Sequence, residues 1–164
     1  MFEKPAVTRV SIDPHLARRW SGRAYDPARP ITQPQLLALL EAARWAPSCY
    51  GDQPWRYLVW DRIQDAGNWQ RAFACLGEFN QGWAGTAPVL MLALADTLFN
   101  QNNQPNRWGG YDTGAASMSL CVQATTMGLM VHQMGGFDAA RVQKEFSIPG
   151  RFTPMAMIAV GYQL

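Results

Sequence analysis

The chain is 164 residues long, 48% apolar and only 16% charged, with 14 Lys and Arg against 12 Asp and Glu for a net charge of +2. This length fits one domain, spanning 1–164, that buries a core without a disulfide or a metal. The balanced charge, with no Lys/Arg block, excludes a surface built for nucleic acid, and a charged share below the ordinary ~25% points to a face covered by a partner subunit.

In chain order, Asp13 caps a short predicted helix over 14–20, with Pro14 at its first position. Thr32 caps a stronger helix over 33–45, in which Leu36, Leu37, Leu39, Leu40 and Ala43 share one broad face and Pro47 ends the pattern. The stretch 46–55 (APSCYGDQPW) holds two prolines, a glycine and short polar side chains, so it continues neither a helix nor a central strand. It is a shaped loop that presents backbone N–H groups and short side chains. It leads into a strand over 55–61, rich in aromatic and branched residues. A helix over 65–79 follows, with Trp69, Ala72, Phe73 and Leu76 inward. The run 88–96 is a continuous apolar strand buried on both faces.

The segment 97–110 (TLFNQNNQPNRWGG) is polar and turn-rich, an exposed loop or lid. Phe99, Trp108 and Tyr111 surround it, either to stack on an aromatic ligand or to anchor the loop. A long helix runs from Asp112 to about Met127, where Gly128 stops it. On it Gly114, Ser117, Cys121 and Ala124 make a seam of small side chains, which serves either packing on the chain's own sheet or a subunit interface. A strand over 129–134, a Gly135-Gly136 turn, a helix over 138–146 and a last strand over 154–162 complete the order. The expected fold is α+β, a central sheet covered by helices.

Cys49, Cys75 and Cys121 are odd in number and not closely spaced, which fits a reducing compartment. His15 and His132 lie too far apart to propose a metal site. His132, on a strand, is read as structural. The N-terminus lacks a basic-then-apolar leader, and the longest apolar run, 87–95, is about half a membrane span. A soluble, cytoplasmic protein that does not enter a membrane is expected.

Three separated segments together resemble the FMN-dependent nitroreductases. The first is Arg18-Arg19-Trp20-Ser21-Gly22-Arg23-Ala24-Tyr25, similar to that family's Arg-x-Ser-x-Arg/Lys-x-aromatic opening. The second is the Ala-Pro-Ser…Gln-Pro-Trp loop. The third is Gly128-Leu129 with His132-Gln133-Met134-Gly135-Gly136-Phe137-Asp138, similar to a Gly-Leu…Gly-Phe-Asp turn beside the flavin. The closing 158–162 resembles the family's last core strand.

The resemblance implies a mostly antiparallel sheet, a homodimer, and FMN as cofactor. Arg19 and Ser21 would then hold the phosphate and Arg23 the pyrimidine edge, with Trp20 between them. Pro47, Ser48, Cys49, Gly51 and Gln53 would meet the FMN of the opposite subunit. Gln133, Met134, Gly135 and Gly136 would form the other wall, a glycine N–H facing flavin N5. Many members carry an Asn where Gly51 stands. They also continue into a C-terminal arm with a basic residue for the phosphate, which is absent from a sequence ending at Leu164.

The activity implied is NAD(P)H oxidation coupled to reduction of a nitroaromatic or quinone, a ping-pong two-electron transfer with no catalytic side chain. Cys49 is not read as a nucleophile, because flavin chemistry needs no thiol and no His is near it in sequence. Other chemistry on the same fold (flavin destruction, dehalogenation, heterocycle oxidation) and a non-catalytic flavin-binding dimer are the alternatives.

Overall fold

The structure, a computed structural model, describes residues 4–164; residues 1–3 of the expected domain lie outside it. Four strands form an antiparallel sheet in the order β1-β2-β4-β3: β1 Trp55–Asp61, β2 Val89–Asp96, β3 Met130–Met134 and β4 Phe152–Gly161. Six helices accompany it: α1 Pro14–Arg18, α2 Gln33–Arg44, α3 Ala66–Phe73, α4 Glu78–Ala84, α5 Gly109–Thr126 and α6 Ala139–Glu145. The α+β class and the antiparallel sheet expected from the sequence are therefore present.

Alternation along β2 divides the core. Val89, Met91 and Ala93 pack with Val131, Ile158 and Val160 against Leu39 and Ala43 of α2 and Ala116, Leu120 and Ala124 of α5. Leu90, Leu92 and Leu94 face the other way, with Met157 and Ala159, onto Trp69 and Ala72 of α3, Ala84 of α4 and Val142 of α6. Every residue of β2 is buried, as a strand covered on both faces must be.

The helix caps follow the sequence. Asp13 accepts the His15 N–H, and Thr32 with Gln35 forms a reciprocal capping box. The first helix stops at Arg18, two residues short of expectation, because Arg19 is already extended at φ −65°, ψ 123°. Leu37 is exposed rather than inward. It stands about 100° round the helix from Leu36, off the face that Leu39 and Ala43 bury.

The expected helix over 65–79 is broken. Leu76 bridges to Phe137, the Gly77 N–H donates to Gly136 O, and the Cys75 carbonyl accepts from Asp138 N. These bonds pull the chain onto the glycine turn after β3, and Gly77 opens α4 as its N-cap. The long helix begins at Gly109, three residues before Asp112. A Cβ on Gly109 would lie 2.3 Å from the Asp96 carbonyl oxygen, so this close approach requires glycine.

The small-residue seam packs inward. Ser117, Cys121 and Ala124 are buried within the chain, the Ser117 hydroxyl lying 3.0 Å from that of Tyr57, while Gly114 alone is exposed. Packing on the chain's own elements, not a subunit interface, accounts for three of its four members. Among the described residues no helix is long and apolar enough to cross a membrane.

Candidate functional site

Strand β3 and the turn after it build one wall of a crevice of about 410 Å³, lined by His132, Gln133, Met134, Gly135 and Gly136. Arg23 and residues 77–80 at the start of α4 form the opposite side. Two of the three sequence segments thus meet. Neither the Gly135 nor the Gly136 N–H has an acceptor among the described residues, whereas both carbonyls are engaged: Gly135 O by Phe137 N, and Gly136 O by Gly77 N and Asn80 Nδ2. The two free amides sit in a cleft that also holds Glu78 and Arg23, the latter with its guanidinium 5.0 Å from the Phe79 ring centre. A Cβ on Gly136 would crowd Asn80 Nδ2 at 2.9 Å, and open space faces Gly135.

His132 fastens the first segment to the strand. Its Nδ1 lies 3.0 Å from Gly22 O; a carbonyl only accepts, so Nδ1 carries the proton. The ring packs on Trp83, with centres 4.5 Å apart. Burial pushes the imidazole below its ordinary 6.5; the Gly22 bond opposes this, and the charges of Arg23 and Arg19 add to it. The structural role expected for His132 fits this geometry. The unfolded chain takes up a proton that the folded imidazole resists, so stability should fall as pH drops below about 6.5. His132→Gln should flatten that loss in urea midpoints measured from about pH 7 to pH 5; an unchanged slope would rule His132 out as its source.

Arg19 and Trp20 line a neighbouring bay of about 270 Å³, between α1 and the end of α5. Arg19 Nη1 reaches Ser21 Oγ at 3.4 Å. Gln133 Nε2 points to Cys121 Sγ at 3.4 Å, and burial raises the Cys121 thiol pKa. Cys75 is likewise buried with its pKa raised, and both behave as the small apolar residues expected.

The second segment lies elsewhere in the fold. Residues 47–53 lead into β1 at one sheet edge, and residues 133–136 leave β3 at the opposite edge. Tyr50, Gly51 and Gln53 take left-handed backbone (φ 55°, 66° and 49°). Such strain persists only where neighbours over-determine it. Here the Cys49 N–H donates to Asp112 at 2.9 Å, the Gln53 N–H donates to Ser48 Oγ at 3.0 Å, and Asn100 Nδ2 donates to Asp52 O at 3.0 Å. Pro47, Gly51 and Gln53 are exposed, and Ser48 and Cys49 half-buried. Phe99 and Tyr50 meet edge to face at 5.9 Å, and Trp108 and Tyr111 at 6.5 Å. Phe99 therefore ties the 97–108 loop to the shaped loop, while Trp108 and Tyr111 pack on each other at the start of α5.

Glu78, Phe79 and Asn80 are crevice residues that the sequence did not single out. Their signal was Gly77, a glycine inside an otherwise helical pattern. Asn80 is nearly buried and holds the glycine turn in place.

The family model described as "Nitroreductase family" matches residues 16–162. This chain belongs to the nitroreductase family. As a nitroreductase-family protein it is 26% identical to the Bacillus subtilis protein YdgI, whose name is that of an NAD(P)H nitroreductase, over 87% of this chain and 84% of that one. A 66-residue stretch is 33% identical to the major NAD(P)H-flavin oxidoreductase of Aliivibrio fischeri, covering 40% of this chain and 30% of that protein. A crystal structure described as an oxidoreductase containing FMN superposes with a TM-score of 0.91 at 33% identity, over 100% of this chain and 83% of its own. Another, of a Desulfovibrio desulfuricans nitroreductase in complex with FMN, shares the fold at 24% identity and TM-score 0.77, over 93% of this chain and 88% of its own.

Proposed function

We propose that this chain is an NAD(P)H-dependent FMN oxidoreductase whose acceptors are small electron-poor aromatics, nitro compounds or quinones. The single observation that carries the assignment is the β3 crevice. In a chain of this family, it offers one guanidinium and two glycine amides without acceptors where a flavin needs positive charge and hydrogen-bond donors. The donor set fits the cofactor: cations for a phosphate of nearly two negative charges, and backbone N–H groups that no side chain obstructs. FMN, when bound, supplies two-electron transfer between the nicotinamide and the acceptor.

The chain's own residues bind and orient. Arg19 and Ser21 hold the phosphate, with Trp20 beside them. Arg23, kept in place by Phe79 and by the His132–Gly22 bond, stabilises negative charge on the ring. Gln133, Met134, Gly135 and Gly136 form the wall against which the ring lies. No side chain is assigned as a catalytic acid or base.

A homodimer completes the site in this proposal, with Pro47, Ser48, Cys49, Gly51 and Gln53 supplied by the partner. Two observations support it. The strained loop lies at the sheet edge away from its own crevice, and α2 and α5 leave Leu37, Tyr111 and Met118 exposed, with Trp45 76% exposed at the end of α2. The three free thiols favour a cytoplasmic location.

The test is flavin loading followed by turnover. Purified protein should be yellow, or become so with FMN. It should then oxidise NADH or NADPH faster when menadione or nitrofurazone is added, and run as a dimer on sizing. A colourless protein that takes up no FMN would overturn the reading. A loaded protein inert to both nicotinamides would overturn the enzymatic part.

A further inference from the structure

We propose that Glu78 makes the crevice selective by charge: among flat aromatic acceptors it favours cationic and neutral ones over those that carry a carboxylate. The inference rests on the flavin reading and deepens it, naming the charge class of the acceptor that follows the nicotinamide into the crevice.

The crevice lining carries one acid, Glu78, and one permanent cation, Arg23. His132, its other titratable group, stays neutral near pH 7, because burial pushes the imidazole below 6.5. The acid and the cation do not cancel as a pair. Among the described residues Glu78 forms no ion pair and no side-chain hydrogen bond, although Arg23 borders the same opening. Arg23 instead packs against the Phe79 ring. With a flavin in place its charge is matched by the negative charge on the ring, and the carboxylate of Glu78 is what a second ligand meets.

Backbone contacts fix where this acid stands. Glu78 follows Gly77, whose N–H donates to Gly136 O at 2.9 Å. A Cβ on Gly77 would lie 3.2 Å from that same oxygen, so the two segments touch closely. The acid is thereby held beside the glycine turn whose two free amides face the crevice, and it is exposed. The plainer explanation is a first-turn carboxylate that complements the dipole of α4. In a seven-residue helix that gain is small, and it calls for no place on the lining of a crevice. Across a half-wet opening, a unit charge about 7 Å away changes affinity by roughly fivefold to tenfold. A cation and an anion of the same shape are therefore separated by more than that, since the two effects have opposite sign.

The experiment compares the full chain as wild type, Glu78→Gln and Glu78→Asp, each loaded with FMN. The acceptors are a matched set: para-nitrobenzyltrimethylammonium, para-nitrobenzyl alcohol and para-nitrobenzoate. Each consumes one NAD(P)H and one proton and yields the nitroso compound, NAD(P)+ and water. Their differing ease of reduction cancels when the same set is compared between proteins. We expect the cation-to-anion ratio of kcat/KM to fall about tenfold or more in Glu78→Gln, through KM, and to be largely kept in Glu78→Asp. Raising salt from about 0.05 M to about 0.5 M should shrink the wild-type ratio and leave that of Glu78→Gln where it is. Thermal shift reads binding without turnover: benzamidine, a flat cation, should raise the melting temperature of wild type but not of Glu78→Gln. If wild type takes up no flavin or reduces no acceptor, the flavin reading fails. The role of Glu78 then stands if the benzamidine shift differs between the two proteins, and falls if it is equal or missing in both. Equal acceptor ratios in an active, flavin-loaded wild type and Glu78→Gln would overturn the proposal while leaving the flavin reading in place.

Discussion

Arg151→Met is expected to destabilise the fold by about 3 kcal/mol, the scale for removing one partner of a buried ion pair. Asp96, at the end of β2, is 1% exposed. Its carboxylate accepts from Arg151 Nε at 3.0 Å and Nη2 at 2.7 Å, and from the Leu98 N–H at 3.0 Å. With methionine at 151 the carboxylate keeps one backbone donor and no countercharge, in a place where water does not reach it. The measurement is a urea midpoint at constant slope. Adding Asp96→Asn to the variant should recover part of the loss, since the stranded charge is then gone. A single variant within about 1 kcal/mol of wild type would show that the pair acts as an ordinary surface bridge.

Arg19→Ala should weaken FMN binding by roughly ten- to a hundredfold, from the ~1.5–3 kcal/mol of a charge-assisted hydrogen bond. The control is Arg71→Ala. Arg71 lies on α3, bound to Glu145 Oε1 at 2.6 Å, and lines neither the crevice nor the bay. It should keep FMN affinity while losing some stability. Equal weakening in both variants would remove Arg19 from the site.

Much of this was legible from local chemistry. Caps at Asp13 and Thr32, the aromatic and branched residues of 55–61 and the apolar run of β2 each name their element without tertiary help. The resemblance located the glycine turn and Arg23, which the fold brings into one crevice. What escaped the sequence was set by contacts across the chain. The break after Phe73 depends on backbone bonds from residues 75–77 to 136–138, of which Gly77 is the one local sign within 65–79. For the same reason Glu78 and Phe79 were hidden inside an expected helix, with Asn80 just past its end. The helix start at Gly109 depends on a close approach to Asp96, again a partner remote in sequence.

The strand order has a consequence for biosynthesis. Strand β4 comes last along the chain yet lies between β2 and β3. Until it leaves the ribosome, β3 has no ladder to join, and β2, apolar on both faces, shows one bare edge to solvent. From the emergence of β2 to that of β4 the nascent polypeptide therefore carries an open, sticky ribbon, and that interval is where chaperone protection matters for this protein.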